Sequence, residues 1–354
     1  MSRYLSARLA ALRPYVPGEQ PRDRSYIKLN TNESPYPPSP QALAEGEAAL
    51  RRLALYPDPT MKALREELAA ALGVTPDCVL PTNGSDEILS FAFCAFCDAK
   101  TPAVFPDITY GFYSVFAELY GVPARVIPLG EDFTVDPRAY FRAGGTIFLA
   151  NPNAPTGIAL PLSAVEQILR ENPDNVVVVD EAYVDFGGES AVSLVGKYEN
   201  LLVTQTFSKS RSMAGARLGF GVASPALIRD LDAVKYSTNP YNVNAVTAAM
   251  GIGSLRDAAY TRKNCEEIME TRAYVTRELR ALGFTLTPSC TNFIFARHPR
   301  LSGERYYTAL RERGILVRHF TSPRIADYNR ITIGSPAEMA ALVEATRSIL
   351  EELL

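Results

Sequence analysis

Short apolar runs punctuate the first two thirds of the chain, each bounded by polar or turn-forming residues. Residues 102–105, 124–127, 146–150, 176–179 and 201–204 have the length and side chains of strands. Val176-Val177-Val178-Val179 is apolar at every position, as a strand buried on both faces of a parallel sheet must be. Between such runs lie segments of helical periodicity. Residues 60–72 put Met61, Leu64, Leu68 and Leu72 on one face and stop at Gly73, a residue suited to a left-handed helix end. Residues 86–97 predict a second, more apolar helix. The alternation predicts a mostly parallel sheet covered by helices on both sides. Residues 218–223, interrupted by Gly219 and Gly221, read as an antiparallel edge strand.

After residue 244 the character changes. Residues 257–282 form a long charged amphipathic stretch, the kind of helix that bridges two lobes. Strand-like runs follow at 293–296, 315–317 and 330–333, with helical segments at 303–313 and from Pro336 onward. This predicts a second, smaller α/β lobe.

Composition narrows the function classes. The 354 residues suit two domains, and 47% hydrophobic content is ample for their cores. A net charge of −3 and a pI of about 5.7 argue against a nucleic-acid partner, which calls for a basic patch. No apolar run approaches the roughly 18 residues of a membrane span. Arg3, Arg8 and Arg13, set among Leu and Ala in residues 1–15, predict an amphipathic helix packed on the protein rather than a transit peptide. Five cysteines, an odd number without a secretory signal, suit a reducing cytoplasm. Cys94 and Cys97 have the CxxC form, but their apolar helical surroundings point to core packing. With only two histidines, His298 and His319, and those not clustered, no metal site is expected.

The candidate chemistry sits where the strands end. Ser208-Lys209-Ser210-Arg211 leaves the run 201–207, and Arg217 follows in a glycine-containing turn. A lysine amine can form a Schiff base with an aldehyde, while hydroxyl and guanidinium hold a phosphate. Alone, the stretch also suits a solvated surface loop. Asp180-Glu181-Ala182-Tyr183 ends the valine run, at the edge where α/β proteins place their chemistry. A carboxylate there can pair with a protonated pyridine nitrogen, or simply cap a helix. Asn151-Pro152-Asn153-Ala154-Pro155-Thr156-Gly157 follows the strand at 146–150 and by composition is a turn.

In combination these segments resemble the fold-type I pyridoxal-phosphate aminotransferases, and among them the histidinol-phosphate aminotransferase family. The resemblance spans nearly the whole chain. It includes Lys28 through Pro35, Tyr56-Pro57-Asp58, Asn83-Gly84-Ser85-Asp86-Glu87, Pro106 with Thr109-Tyr110-Gly111, Tyr241-Asn242-Val243-Asn244, Thr291-Asn292-Phe293, and Arg330 through Gly334. It implies a three-layer α/β/α cofactor domain over residues 36–244, and a smaller α/β lobe of residues 1–35 and 245–354. It implies pyridoxal 5'-phosphate, with Lys209 as the Schiff-base lysine, Asp180 at the ring nitrogen and Tyr183 at the phenolic oxygen. Ser85, Asp86, Ser208 and Arg217 would form the phosphate cup, and Tyr110 would stack on the ring. Tyr56 would reach the phosphate of a neighbouring subunit, so that two copies share their active sites. Arg330 would bind the substrate anion, with Arg318, Asn32, Glu33 and Asn292 lining the pocket. One position departs from the family: Ala154 stands where Asn usually contacts the phenolic oxygen. Either Asn153 takes over through a shifted turn or Tyr183 acts alone.

The implied reaction is a ping-pong amino transfer between L-histidinol phosphate and 2-oxoglutarate. The alternatives are an aromatic amino-acid aminotransferase, a threonine-phosphate decarboxylase with the same cofactor site, or a non-catalytic cofactor-binding regulator. The last has no basic N-terminal extension to serve it. A nicotinamide dehydrogenase is disfavoured, because no GxGxxG follows a strand.

Overall fold

A computed structural model describes residues 2–6, 9 and 12–353. Its elements run β1 (Ile27–Lys28), α1 (Pro40–Leu50), α2 (Lys62–Leu72), β2 (Val79–Thr82), α3 (Ser85–Phe96), β3 (Ala103–Pro106), α4 (Phe112–Tyr120) and β4 (Ala124–Ile127). Then come β5 (Thr146–Ala150), α5 (Leu162–Arg170), β6 (Val177–Asp180), β7 (Leu201–Thr206), β8 (Gly219–Ala223), α6 (Pro225–Thr238) and α7 (Ala245–Arg256). The remainder is α8 (Ala258–Ala281), β9 (Thr285–Leu286), β10 (Phe293–Arg297), α9 (Gly303–Glu312), β11 (Ile315–Leu316), β12 (Arg318–His319), β13 (Asn329–Thr332) and α10 (Pro336–Leu353). Of the helix expected over residues 1–15, Met1, Ala7, Arg8, Ala10 and Ala11 lie outside the described residues. From Leu12 the chain runs without helix, and Tyr15 stacks on Phe112 at 4.4 Å.

Seven strands form the main sheet in the order β2-β8-β7-β6-β5-β3-β4. The neighbours from β4 through β7 are parallel, and β8 alone runs against both its partners. The valine run shows why the layers hold. Successive strand side chains alternate between faces. Val177 and Val179 therefore pack with Leu64, Leu68, Val165 and Ile168 on one side, and Val178 packs with Ile88, Phe93, Phe116 and Ile228 on the other. Each fully buried valine contributes about 1.5–3 kcal/mol relative to exposure, so neither helical layer can be peeled away cheaply.

The expected edge strand is a correction. β8 is antiparallel but interior, and β2 takes the edge. Pro81 belongs there, since an edge strand can spare an N–H. The glycines of β8 serve close packing instead. A Cβ at Gly219 would lie 2.4 Å from the Ser85 nitrogen, and one at Gly221 2.8 Å from the Ile88 side chain. They let the start of α3 rest on the sheet.

The second sheet, β12-β13-β10-β9, is antiparallel and shares a core with α8, α9 and α10. β1 pairs in parallel with β11, tying residues 27–28 to this part of the molecule. Ile108, Leu129 and Phe133, beyond β3 and β4, pack against Phe295, Ile325 and Tyr328. Arg324 adds bonds to Asp107 at 2.5 Å and to the Leu129 and Gly130 carbonyls. The small sheet is thereby held over the strand ends of the large one. Among the described residues no helix is long and apolar enough to cross a membrane.

Candidate active site

Two adjoining cavities, about 340 and 440 Å³, open between the sheets at the strand exits. Both are lined by Thr31, Tyr110, Ala154, Tyr183 and Lys209. Lys209 follows β7, and its Nζ donates to the Thr31 carbonyl at 3.2 Å. Burial, then the positive charge of Arg330, lowers its pKa to about 8. Far more of this amine than of an ordinary lysine is thus neutral near physiological pH, although the protonated form still predominates there.

Asp180 ends β6 and is 5% exposed. Its Oδ2 accepts from the Tyr113 hydroxyl at 3.1 Å, while its Oδ1 is buried with no partner. Burial raises its pKa to about 7 against the opposing effect of that hydrogen bond. A native buried acceptor without a donor calls for a ligand to supply one. Sequence reasoning missed Tyr113. Its spacing of three residues from Tyr110 across the start of α4 was the available signal.

The phosphate-binding candidates also converge. Gly84 caps α3 with φ at 78° and no side-chain cap, so the first amides of the helix, from Ser85 and Asp86, are left for an acceptor. That φ favours glycine, and the missing side chain lets Arg217 Nη2 pass 2.6 Å from where a Cβ would sit. Arg217 itself holds φ at 57°, a conformation that costs a non-glycine residue roughly 1–2 kcal/mol. It reaches the Ser208 hydroxyl and Asp86, each at 3.4 Å. Both contacts are long, leaving donor capacity. Tyr110 donates to Asp86 Oδ1 at 2.7 Å, which fixes its ring beside the cavity.

Arg330 extends from β13, donates to the Asn30 carbonyl at 3.1 Å, and lies between the rings of Phe293 and Phe320. Its Nε is buried without a partner. Arg318 lines the same cavity and donates to the Val16 and Pro17 carbonyls at 3.3 and 3.4 Å. Glu33 lines the Lys209 cavity and is ion-paired with Lys28. Asn32 lines the other cavity, and its amide donates to the Tyr183 hydroxyl at 2.8 Å.

Two expectations change, those for Asn153 and Asn292. Asn153 does not take the place of the missing donor. Its Nδ2 bonds the Ile108 carbonyl at 2.9 Å and Thr156 Oγ1 at 3.0 Å, and its Oδ1 accepts from Thr109 at 2.8 Å. Bracing the turn uses up the whole amide, and it is the Ala154 methyl that faces the cavity. Asn292, 0% exposed, lines neither cavity; it stands behind Asn32 and donates to its carbonyl at 3.0 Å. Tyr56 is 81% exposed and stacks on Tyr241 at 4.6 Å, outside both cavities of its own chain. Its loop is anchored by Lys235, 1% exposed, whose Nζ donates to the Pro59 carbonyl at 2.8 Å.

The match to the family "Aminotransferase class I and II" covers residues 24–345. Histidinol-phosphate aminotransferase 2 of Dechloromonas aromatica is 50% identical over 354 residues, 99% of each chain. Histidinol-phosphate aminotransferase 1 of Pseudomonas aeruginosa is 48% identical over 98% of this chain and 99% of its own. The solved histidinol-phosphate aminotransferase of Sinorhizobium meliloti, in complex with pyridoxal-5'-phosphate, has the same fold, with a TM-score of 0.90, 23% identity, and coverage of 100% of this chain and 99% of that one. The chain belongs to the class I and II aminotransferases, within the histidinol-phosphate aminotransferase family.

Proposed function

We propose that this enzyme transfers the amino group of L-histidinol phosphate to 2-oxoglutarate with pyridoxal 5'-phosphate as cofactor. The observation that carries the reading is the pairing, in one cavity, of a neutralisable buried amine, Lys209, with the orphaned carboxylate oxygen of Asp180. A ring N–H with cationic character would satisfy that oxygen, so the residues fit the cofactor. The relatives that span the full chain support the substrate.

When bound, the cofactor supplies an electron sink for the carbanionic charge at the substrate Cα. Lys209 would anchor it and, once released, take and return the Cα proton. Asp180 would hold the ring nitrogen charged, with Tyr113 orienting the carboxylate. Tyr183 would donate to the phenolic oxygen and Tyr110 cover the ring. Ser208, Arg217 and the amides of Ser85 and Asp86 would hold the phosphate. Arg330 would receive the anionic end of either substrate, since a guanidinium accommodates carboxylate and phosphate alike. Single-turnover bleaching of the cofactor's visible absorbance by a panel of amines tests the reading. Histidinol phosphate should react with the highest kcat/KM. A preference for phenylalanine would move the enzyme to the aromatic class, and loss of carbon dioxide from threonine phosphate to the decarboxylases.

The two arginines divide by charge. Arg330→Ala should weaken both half-reactions, whereas Arg318→Ala should weaken histidinol phosphate more than glutamate, because a dianion gains more from a second guanidinium. Each lost charged hydrogen bond should cost about 1.5–3 kcal/mol in kcat/KM for the affected substrate. Equal losses for both substrates in Arg318→Ala would remove it from phosphate recognition.

We further propose a homodimer with shared sites. Leu50, Leu53, Leu55, Tyr56, Tyr236 and Tyr241 are large apolar side chains left exposed on the α1 and α6 side of the molecule, and such an apolar face suits a second copy. Tyr56 would complete the partner's phosphate site. Mixing inactive Tyr56→Ala with inactive Lys209→Ala should then restore activity, since one of the two sites in a mixed dimer carries neither lesion. No recovery after demonstrated subunit exchange would count against sharing. We keep the division into a cofactor domain and a smaller lobe, with the boundary moved from residue 244 to the α7–α8 junction, because α7 packs on α1 and α2. The five unpaired cysteines support a reducing compartment such as the cytoplasm.

A further inference from the structure

We propose that Asn32 is a positioning residue whose amide dictates the direction of the Tyr183 proton, turning that hydroxyl into a committed donor toward the cofactor. The inference rests on the cofactor reading above and concerns a residue that the reaction itself does not use. It follows from counting donors and acceptors. Asn32 Nδ2 donates to Tyr183 Oη at 2.8 Å. The tyrosine oxygen is thereby an acceptor on that side, and its own proton must point elsewhere, into the cavity that Tyr183 lines with Ala154, Asp180 and Lys209.

The amide cannot easily turn round. Thr332 Oγ1 donates to Asn32 Oδ1 at 3.1 Å while accepting the Asn32 backbone N–H at 3.0 Å. Thr332 is 2% exposed and Asn32 1%, so no solvent replaces these bonds. A flipped amide would present Nδ2 to Thr332, deprive that buried hydroxyl of its acceptor, and offer Oδ1 to Tyr183. The backbone is pinned as well. Asn292 holds the Asn32 carbonyl, and φ is 57°, a region that asparagine tolerates better than most residues.

The opposite wall makes the arrangement matter. Ala154 has no donor to offer, and the Asn153 amide is consumed in its turn. A Tyr183 hydroxyl free to rotate could leave the phenolic oxygen without a side-chain hydrogen bond from this part of the site. The charged groups around Tyr183 are Lys209, 5.9 Å from the ring centre, with Arg330, Asp180 and Asp86. None of them substitutes for a neutral donor fixed in direction.

The test is a pH titration of the visible absorbance of the cofactor-loaded resting enzyme, without substrate. A hydrogen bond donated to an anionic oxygen favours the anion, and losing it raises the proton affinity of the chromophore. In Asn32→Asp a carboxylate takes the Tyr183 proton. The titration midpoint should rise by about one pH unit or more, as far as in Tyr183→Phe. In the Tyr183→Phe background the Asp substitution should add nothing, because there is no proton left to redirect. A field effect of the new carboxylate would persist in that background, and a full additive shift there would overturn the proposal. So would an unmoved midpoint in Asn32→Asp alongside a shifted one in Tyr183→Phe. If Asn32→Asp fails to fold, Thr332→Val removes the group that orients the amide and should raise the midpoint in the same direction; no shift in that variant would likewise overturn the proposal. An unshifted Tyr183→Phe would instead strike at the donor role of Tyr183, and the proposal would fall with it.

Discussion

Alanine in place of Lys209 is expected to abolish amino transfer while leaving the fold and the phosphate contacts intact. The side chain does two jobs that no neighbour can take over. Its amine is the nucleophile that anchors the cofactor, and as a free base it moves the proton at the substrate Cα. Loss of the proton transfer alone should cost about 10²–10⁴-fold in the single-turnover rate. Cofactor should still associate through its phosphate, but borohydride treatment should leave no mass increment on the protein. A retained increment, or a rate within an order of magnitude of wild type, would refute the assignment. Burial and Arg330 together hold the amine near 8. The basic form therefore accumulates as pH rises through about 8, and the rate of the proton-transfer step should rise over that range. An ordinary lysine would postpone the rise to about pH 10.4.

Asp180→Asn should lower turnover by about 10²–10³-fold, the scale of removing one preorganised electrostatic partner from an active site. The same change should stabilise the cofactor-free protein above neutral pH. The buried, half-unpartnered carboxylate has its pKa raised from 3.8 to about 7. Between those values the folded state holds a proton that the unfolded state has released, so stability falls as pH rises through that window. Asparagine carries no such penalty. Above pH 7 the cofactor-free variant should melt several degrees higher than the cofactor-free wild type. Glu181, also buried and raised to about 7, is present in both proteins, and its repulsion of Asp180 is part of what the asparagine relieves. The cofactor's positive charge should reverse the order, because the ion pair then stabilises only the aspartate enzyme. A variant with near-normal turnover, or a cofactor-free midpoint unchanged at every pH, would reduce Asp180 to a structural cap. The pairing of lost function with gained stability is what a site built around an uncompensated charge should show.

The chain's own pattern carried most of the large sheet. β5, β6 and β7 are apolar runs buried on both faces, and the residues that leave them (Asn151, Asp180 and Lys209) are legible because polar side chains interrupt those runs at their ends. Gly73 ended its helix in the left-handed conformation its residue type favours. β2 was not legible. Val79-Leu80-Pro81-Thr82 contains a proline, and whether such a run is a strand depends on its having an edge to occupy. The placement of β8 was hidden for a related reason: glycines in a strand look like irregularity until the helix resting on them is known.

In the site, residue types at the strand exits marked Lys209, Asp180 and Arg217 as candidates that also suited a surface loop or a cap, and it was the family resemblance across the whole chain that singled them out together with Tyr183 and Arg330. What each side chain does with its protons was decided only in three dimensions. Asn153 and Ala154 are neighbours in sequence, yet the turn spends the asparagine on its own bracing and gives the cavity the methyl group. Tyr113 meets Asp180 across 67 residues, and Asn32 meets Tyr183 across 151 and Thr332 across 300. Sequence by itself determined that β5, β6 and β7 are buried and which polar groups sit at their ends, since burial on both faces is written in an unbroken apolar run. The tertiary structure alone decided which donors and acceptors are already spent and which face the cavity, because a hydrogen bond consumes a partner that lies anywhere along the chain.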